Sequence, residues 1–313
     1  MYSQYYSNGK LLIAGEYLVL RGAKALALPV AYGQSLNVAL SSNCSNSWCS
    51  YQQKKLWLKI IFDHNFKILS SSDLDKARKL FSIIKAAHKI NPSFFDRSRS
   101  YQVTSHLNFD LNWGLGSSST LISNIAYWAG IDPFQLFSQV AGGSGYDVAC
   151  ARSDSPLFYQ LKNGKYRTEP VKFKPLFRDK LFFLYLNKKQ DSAGEVKKFK
   201  QNKQISAALI TEISKLSEIM AQTKNQKIFM QSMARHEDII SNILQQPAIK
   251  EKLFKDFDGE VKSLGAWGGD FALVCSNISK NNTLKYFSSR GYKTVFTFDE
   301  MAIKQNPSLF KNI

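Results

Sequence analysis

The sequence predicts a protein of mixed strands and helices in two domains. Apolar runs and alternations predict strands in both halves, and two long amphipathic helical patterns follow residue 200. The stretch 163–180 is charged, contains proline and has no periodicity, which is typical of a connection. A chain of 313 residues with 44% hydrophobic residues can bury two cores. We therefore expect domains at 1–170 and 171–313.

The individual elements follow from apolar spacing and from the residues that start and stop helices. Strands are expected at 11–20, 25–40, 56–62, 157–161, 181–186, 271–275 and 294–298. Helices are expected at 74–90, 117–129, 133–140, 205–223, 227–245 and 283–289. The helix at 133–140 begins with Pro133 after the capping residue Asp132, which favours a first helical turn.

The most informative stretch is a loop of glycines and hydroxyl residues directly before a helical pattern. It reads Gly114-Leu115-Gly116-Ser117-Ser118-Ser119-Thr120. Glycines let the backbone approach a ligand closely, and the start of a helix offers N–H groups and the positive end of its dipole. The combination predicts an anion site, with phosphate as the usual anion. A serine-rich cap on an ordinary helix is the alternative. No Gly-Lys-Ser/Thr closes the loop, so it is not a Walker A sequence.

Two further segments carry candidate chemistry. In 9–20, short apolar strands are expected on both sides of Gly15-Glu16, and Lys10 precedes the first. Lys10 and Glu16 are candidates to contact a phosphate and a metal or ribose, or else they are solvated charges at the tips of a hairpin. In 142–151, three glycines precede Asp147. Asp147 is a candidate general base or partner for a substrate hydroxyl, and a helix cap is the alternative.

Together these segments resemble the motifs of the GHMP kinases, the family of galactokinase, homoserine kinase, mevalonate kinase and phosphomevalonate kinase. Segment 9–20, with its Gly-Glu-Tyr, is similar to the N-terminal motif, and Gly-Leu-Gly-Ser-Ser is similar to the phosphate-binding motif. Segment 142–151 resembles the one with the catalytic aspartate, and its Gly-Tyr-Asp-Val-Ala resembles a bacterial subgroup with Gly-Tyr-Asp-Ile-Ala. Segment 265–274, which begins Gly-Ala-Trp-Gly-Gly-Asp, is similar to the third, glycine-rich motif. The four matches lie in the family's order.

The resemblance implies two α+β domains with the active site in the cleft between them, and ATP and Mg²⁺ as cofactors. Asp147 and Lys10 would be catalytic, and Ser118 and Glu16 would contact the metal. The residues implied to bind ATP are Gly114, Leu115, Gly116, Ser117, Ser118, Ser119 and Thr120. Those implied to bind the substrate are Gly145, Tyr146, Lys188, Ser192 and Gly268.

The chain also departs from the family. Mevalonate kinases place a metal-binding glutamate on the helix before the catalytic aspartate, whereas 133–140 contains no acid. Trp267 and Asp270 stand where the family more often has small residues. Magnesium would then depend on Ser118, the phosphates and water, with Glu16 as a further aid, because this ion keeps several waters and needs few protein ligands.

The function implied by the resemblance is transfer of the ATP γ-phosphoryl group to a hydroxyl or phosphate of an acidic metabolite. Mevalonate or phosphomevalonate, in isoprenoid precursor synthesis, is the favoured substrate. A homoserine or sugar kinase, a decarboxylase of the same superfamily, and a pseudo-enzyme that binds nucleotide without turnover remain open.

Composition limits the partners. The formal net charge is +18, but the basic residues are scattered and no nucleic-acid signature accompanies them. We expect mostly solvated surface with some steering of anionic ligands, and nucleic acid as the less favoured partner. No apolar stretch predicts a membrane span or a signal peptide. The four cysteines lack zinc spacing, which predicts free thiols in a cytoplasmic protein. The expected partner is a small-molecule substrate, and a homodimer remains open.

Overall fold

The computed structural model describes residues 2–42, 44–188, 194, 199 and 205–303, which form two compact units. Unit 1 comprises Met1–Gly9, Tyr32–Leu111 and Leu115–Arg152. Unit 2 comprises Lys10–Ala31, Asn112–Gly114 and Ser153–Ile313. The units are defined by packing, and the domains expected at 1–170 and 171–313 stay a prediction.

Runs of strands and runs of helices follow one another along the described residues. The strands are β1 (Tyr2–Ala14), β2 (Ala25–Ser41), β3 (Asn46–Gln52), β4 (Lys55–Phe62), β5 (Ile68–Ser71), β6 (Ser100–Leu107), β7 (Leu157–Lys162), β8 (Lys165–Pro170), β9 (Leu181–Tyr185), β10 (Gly259–Leu264), β11 (Phe271–Ser276) and β12 (Val295–Thr297). The helices are α1 (Leu74–Ile90), α2 (Ser117–Ala129), α3 (Pro133–Val140), α4 (Tyr146–Ala151), α5 (Ala207–Gln222), α6 (Gln226–Leu244), α7 (Ile249–Leu253), α8 (Lys280–Ser289) and α9 (Phe298–Met301).

Unit 1 is a sheet covered by helices. Its strands follow the order β5-β4-β3-β6-β2, with β3 and β6 parallel and the other neighbours antiparallel. Apolar residues of β2, β3, β4 and β6 pack against the apolar faces of α1, α2 and α3 in one core. Alternation along β6 buries every second residue, including Val103, which is the pattern of a sheet covered on one face.

Unit 2 contains an antiparallel sheet of order β10-β11-β9-β12. Helices α6 and α7 pack against β10, and β11 is buried along its whole length. A second group of strands joins residues 25–27 of β2 to β7, which forms a hairpin with β8. A separate core joins α5 and α6 to the segment after β1 through Tyr17 and Leu18.

The three helices α1, α2 and α3 have the predicted bounds, and two predicted features of the chain are wrong. Residues 18–21 form a 3-10 helix, Leu18–Arg21, so no second strand follows Gly15-Glu16. The apolar run there is short, and periodicity does not separate a strand from a helical turn at that length. The expected connection at 163–180 contains β8, which escaped the pattern because both of its faces are exposed.

Helix α6 begins with a polar cap that is open to a direct test. The Asn225 side chain accepts a hydrogen bond from Ile228 N at 3.2 Å. We expect Asn225→Ala to lower the free energy of unfolding by about 1 kcal/mol, because the helix loses the acceptor for one of its first N–H groups. Chemical denaturation measures the change. Lys224→Ala, at the preceding exposed position, is the matched control, and an equal loss in both variants would contradict the capping role.

Candidate active site

The glycine–serine loop forms a turn that leads into the N-terminus of α2. Gly114 and Gly116 have left-handed backbone angles, with φ of 66° and 90°. Gly116 directly precedes the helix, and no side chain caps it. Ser117 is half-buried and Ser118 is exposed. The first N–H groups of a helix have no carbonyl partner within it, so this end of α2 can receive an anion.

The last two hydroxyls of the loop have internal partners. Ser119 Oγ donates to the Gly116 carbonyl at 2.8 Å, and Thr120 Oγ1 donates to Gln34 Oε1 at 2.7 Å. Both residues are buried. Their hydroxyls therefore stabilise the loop. The contact of Ser119 and Thr120 with ATP stays a prediction, and their backbone N–H groups would make it. The accessible hydroxyls belong to Ser117 and Ser118.

A buried polar network fixes α2 in unit 1. Asn124 Nδ2 donates to the Gln34 carbonyl at 2.9 Å, and Gln34 Nε2 donates to Ser105 Oγ at 3.3 Å. Ser7 Oγ lies 2.9 Å from both Ser123 Oγ and Asn124 Oδ1. None of these residues was among the site residues predicted from the sequence. The one signal was a run of polar residues on a helix face that otherwise reads as buried.

Asp147 lies in the first turn of α4, half-buried. Its Oδ1 accepts a hydrogen bond from Val148 N at 3.1 Å. Gly145, with φ of 84°, occupies the cap position, so the interpretation of Asp147 as the helix cap is wrong. Helix α4 packs directly against α2. Unit 1 thus packs the helix that carries Asp147 against the helix that follows the loop.

Lys10 and Asp270 both contact Gly114, the first residue of the loop. Lys10 Nζ donates to the Gly114 carbonyl at 2.8 Å. The Asp270 carboxylate occupies the space beside Gly114, since a β-carbon added there would lie 2.4 Å from Asp270 Cγ. Asp270 is itself buried in a left-handed conformation, with φ of 53°. The Asp270 carbonyl accepts a hydrogen bond from the Leu186 N–H, and the Asp270 N–H donates to the Lys188 carbonyl, just after β9.

Glu16 lies in a buried charged cluster. Its Oε1 is 2.5 Å from Lys262 Nζ, and its Oε2 is 3.1 Å from His236 Nε2. Burial acts to raise the pKa of Glu16, but the charge of Lys262 outweighs it and holds the pKa below its usual value. Burial and the charge of Lys262 lower the pKa of His236. Its Nε2 accepts the Gly15 N–H at 2.9 Å, as a neutral imidazole can. The His236 side chain is fully buried.

Glu237 completes this cluster as its proton-holding member. Its carboxylate accepts the Ser263 N–H at 3.1 Å. Burial, opposed by the charge of Lys262, raises the pKa of Glu237 to about 8. The cluster therefore contains one anion, Glu16, one cation, Lys262, and a neutral Glu237 at neutral pH.

The remaining predicted residues that the structure describes lie in α4, in the turn before β11 and after β9. Tyr146 begins α4 and is half-buried, and Gly268 has φ of 75° in the turn before β11. The Lys188 side chain is exposed, whereas Ser192 lies outside the described residues. The Trp267 indole is buried in the core beside α5 and α6, where Tyr17 also lies.

The fit of these residues to a magnesium ion is uneven. Within the part of the chain that the structure describes, no three histidine, cysteine, aspartate or glutamate side chains converge on a metal site. Glu16 is 3% exposed and paired with Lys262, so it does not fit an ion that must also reach a nucleotide. The exposed Ser118 at the start of α2 fits a single hydroxyl ligand.

All four cysteines are free thiols, as expected. In the described part of the chain, every helix is too short or too polar to span a membrane.

The fold matches solved structures of small-molecule kinases. Mevalonate kinase from Methanococcus jannaschii aligns with a TM-score of 0.71 at 13% identity, over 97% of this chain and 99% of that one. Streptococcus pneumoniae phosphomevalonate kinase, solved with phosphomevalonate and AMPPNP, aligns with 0.68 at 17% identity, over 94% and 99%. Lactococcus lactis galactokinase, solved with galactose, aligns with 0.61 at 12% identity, over 96% and 93%.

These structures are GHMP kinases, and the chain has their fold. The predicted fold class is confirmed. No protein-family model and no curated protein matches the sequence.

The contact at Gly114 yields a test with a matched control. Gly114→Ala meets Asp270, whereas Gly164, with φ of 70°, has open space where a β-carbon would stand. Both alanines bear the left-handed penalty of about 1–2 kcal/mol, and only Gly114→Ala adds a clash. We expect Gly114→Ala to lose clearly more unfolding free energy than Gly164→Ala. Equal losses in the two variants, measured by chemical denaturation, would count against the contact.

The raised pKa of Glu237 predicts that the stability of the fold depends on pH. Between pH 4.5 and about 8 the folded chain holds a proton that the unfolded chain releases, so the free energy of unfolding falls as pH rises through this window. The slope contributed by one such proton is at most about 1.4 kcal/mol per pH unit. Glu237→Gln cannot ionise and keeps the acceptor oxygen. We expect it to flatten the fall and to exceed the wild type in stability at pH 8. Parallel pH profiles of the two proteins would refute the buried proton.

Proposed function

We propose that the chain is a GHMP-type kinase that transfers the γ-phosphoryl group of ATP to a hydroxyl or phosphate of a small acidic metabolite. The observation that carries this proposal is the start of α2. A left-handed Gly116, two accessible serines and an uncapped helix N-terminus lie on a helix that packs against α4, which carries Asp147. The shared fold with mevalonate, phosphomevalonate and galactose kinases supports the reaction class.

The charge and the geometry at the start of α2 support the proposed binding of ATP. The N–H groups of the first turn of α2 and the hydroxyls of Ser117 and Ser118 would donate hydrogen bonds to the β- and γ-phosphates. Ser118, the phosphates and water would hold magnesium, which neutralises the charge that develops on the transferred group. Phosphoryl transfer depends mainly on positioning and electrostatic stabilisation, which matches a site whose loop is fixed by internal hydrogen bonds.

Asp147 would orient the acceptor hydroxyl and take its proton. The carboxylate is half-buried and held on a short helix, so its position is restricted before substrate arrives. For Lys10 we propose two contributions. Its ammonium group holds the Gly114 carbonyl, and its charge favours anionic phosphate nearby.

The acceptor is proposed to be mevalonate or phosphomevalonate, which places the chain in isoprenoid precursor synthesis. The support is the Gly-Glu-Tyr and Gly-Tyr-Asp-Val-Ala segments together with the shared fold. The net charge of +18 favours the approach of acidic substrates and ATP. Gly145 and Tyr146 next to Asp147, Gly268, and the exposed Lys188 are the proposed substrate contacts.

Magnesium-dependent ADP release tests the proposal. The purified protein is incubated with ATP and, in turn, mevalonate, phosphomevalonate, homoserine and galactose. We expect turnover with one acidic acceptor, and we expect Asp147→Asn to lose at least about a hundredfold in kcat because the acceptor loses its base. ATP affinity should stay within about threefold, since Asp147 does not contact the nucleotide in this proposal.

Asp154→Asn, at an exposed position a few residues later, is the control for the charge change. Full activity of Asp147→Asn would rule out the assigned role. ATP binding without turnover on any acceptor would indicate the pseudo-enzyme, and no ATP binding would refute the proposed function.

A further inference from the structure

The turn Gly15-Glu16-Tyr17 after β1 adopts a backbone that needs external support. Gly15 has φ of 99° and Tyr17 has φ of 60°. A tyrosine in the left-handed region is strained, and such residues persist only where the surroundings fix them. Gly15 also lies against Ala25, because an added β-carbon would be 2.6 Å from Ala25 Cβ. The turn is therefore both strained and tightly enclosed.

Three buried contacts within unit 2 fasten this turn, one at each of its residues. The Gly15 N–H donates to His236 Nε2 at 2.9 Å. Glu16 Oε1 lies 2.5 Å from Lys262 Nζ, and Tyr17 Oη accepts the Trp267 N–H at 2.9 Å. The partners come from α6, from β10 and from the turn after β10. Lys262 is fully buried, and its second contact is the carbonyl of Ser263 at 2.9 Å.

The turn is connected to the glycine–serine loop 114–120, which is the proposed phosphate loop, through the last residues of β1. Lys10 lies in the last five residues of β1, which ends at Ala14. Ile13 and Ala14 are fully buried, so the end of the strand has no room to shift independently of the turn. Lys10 then reaches the Gly114 carbonyl at 2.8 Å.

We propose that the Glu16–Lys262 ion pair, with His236, is a positioning device that sets Lys10 against Gly114 and thereby fixes the start of the phosphate loop. In this assignment Glu16 and Lys262 act through Lys10 and contact no nucleotide. The inference deepens the proposed function, on which it rests for the nucleotide, and it replaces the magnesium role expected for Glu16 with an internal one.

The balance of charge in this cluster makes the position of the turn sensitive to substitution of Glu16 or Lys262. Without Lys262, Glu16 would be an unpaired charge in a buried place. Without Glu16, Lys262 would draw the proton off Glu237, so the charge moves to another residue of the cluster. Either change disturbs the contacts of the turn, which moves the end of β1. Removing both charges together leaves no such charge, so the double variant should recover the position that each single variant loses.

The test compares Lys262→Met, Glu16→Gln and the double variant Glu16→Gln/Lys262→Met. The matched controls are Lys24→Met and Glu218→Gln, which remove the same charges from an ion pair with side chains 29% and 40% exposed. Folded fraction is measured by near-ultraviolet circular dichroism. KM for ATP and kcat are then measured per folded molecule, and amide hydrogen exchange is followed at Lys10, Gly15 and Gly114.

We expect each single variant to raise KM for ATP about tenfold or more, and the double variant to return within about threefold of the wild type. The controls should stay within about twofold, because partly exposed pairs contribute little. Exchange should accelerate at Lys10 and Gly114 in the single variants alone. An unchanged KM per folded molecule, with exchange at Gly114 as in the wild type, would overturn the proposal.

Two further outcomes are also decisive. If neither single variant folds, Tyr17→Phe removes only the hydroxyl that accepts the Trp267 N–H. A raised KM and faster exchange at Gly114 in that variant support the positioning role, and wild-type values of both overturn it. If the wild type neither binds ATP nor releases ADP, the proposed function fails. Exchange at Lys10 and Gly114 then decides the positioning role independently.

Discussion

The steric constraint at Gly114 ties together several parts of unit 2. Asp270 fills the space of a β-carbon at Gly114, and Lys10 holds the carbonyl of the same residue. The neighbouring Trp113 packs against Phe271 and Phe296. A side chain at position 114 would therefore disturb β1, the turn before β11 and the loop at once. A glycine is needed here for space as well as for its backbone angle.

Buried charge in unit 2 is balanced by environment. Glu16 stays ionised because Lys262 is close, whereas Glu237 holds its proton because burial outweighs the same lysine. Two carboxylates close to one ammonium would otherwise leave a net negative charge in a buried region. The proton on Glu237 thus keeps the cluster neutral. The neutral state of His236 is part of the same balance, since its Nε2 is needed to accept the Gly15 N–H.

Local patterns predicted local structure well, and they failed where tertiary contacts decide. Helices α1, α2 and α3 were predictable because caps and apolar periodicity agree within each segment. Strand β3, Asn46–Gln52, is rich in polar residues and carried no strand pattern. The motif segments indicated Gly116 and Asp147, but Glu16 was expected to contact a metal or ribose, or to be solvated at the tip of a hairpin. Its partner Lys262 lies 246 residues away in sequence, and no spacing in a single sequence reveals such a pair.

Because Glu16 is paired with Lys262, it does not supply a negative charge to the magnesium site of the proposed kinase. Helix α3 carries no acid, and Glu16 is turned inward, so under the proposed function the nucleotide-bound magnesium would have few protein oxygens beyond Ser118. The phosphates would then depend more on the N–H groups of α2 and on Lys10 for neutralisation. Backbone N–H groups stabilise charge only when their positions are fixed, because they cannot follow a moving ligand as a solvated ion can. A site with few metal ligands therefore requires a rigid loop, and the network through Gln34 and Asn124 supplies that rigidity within unit 1.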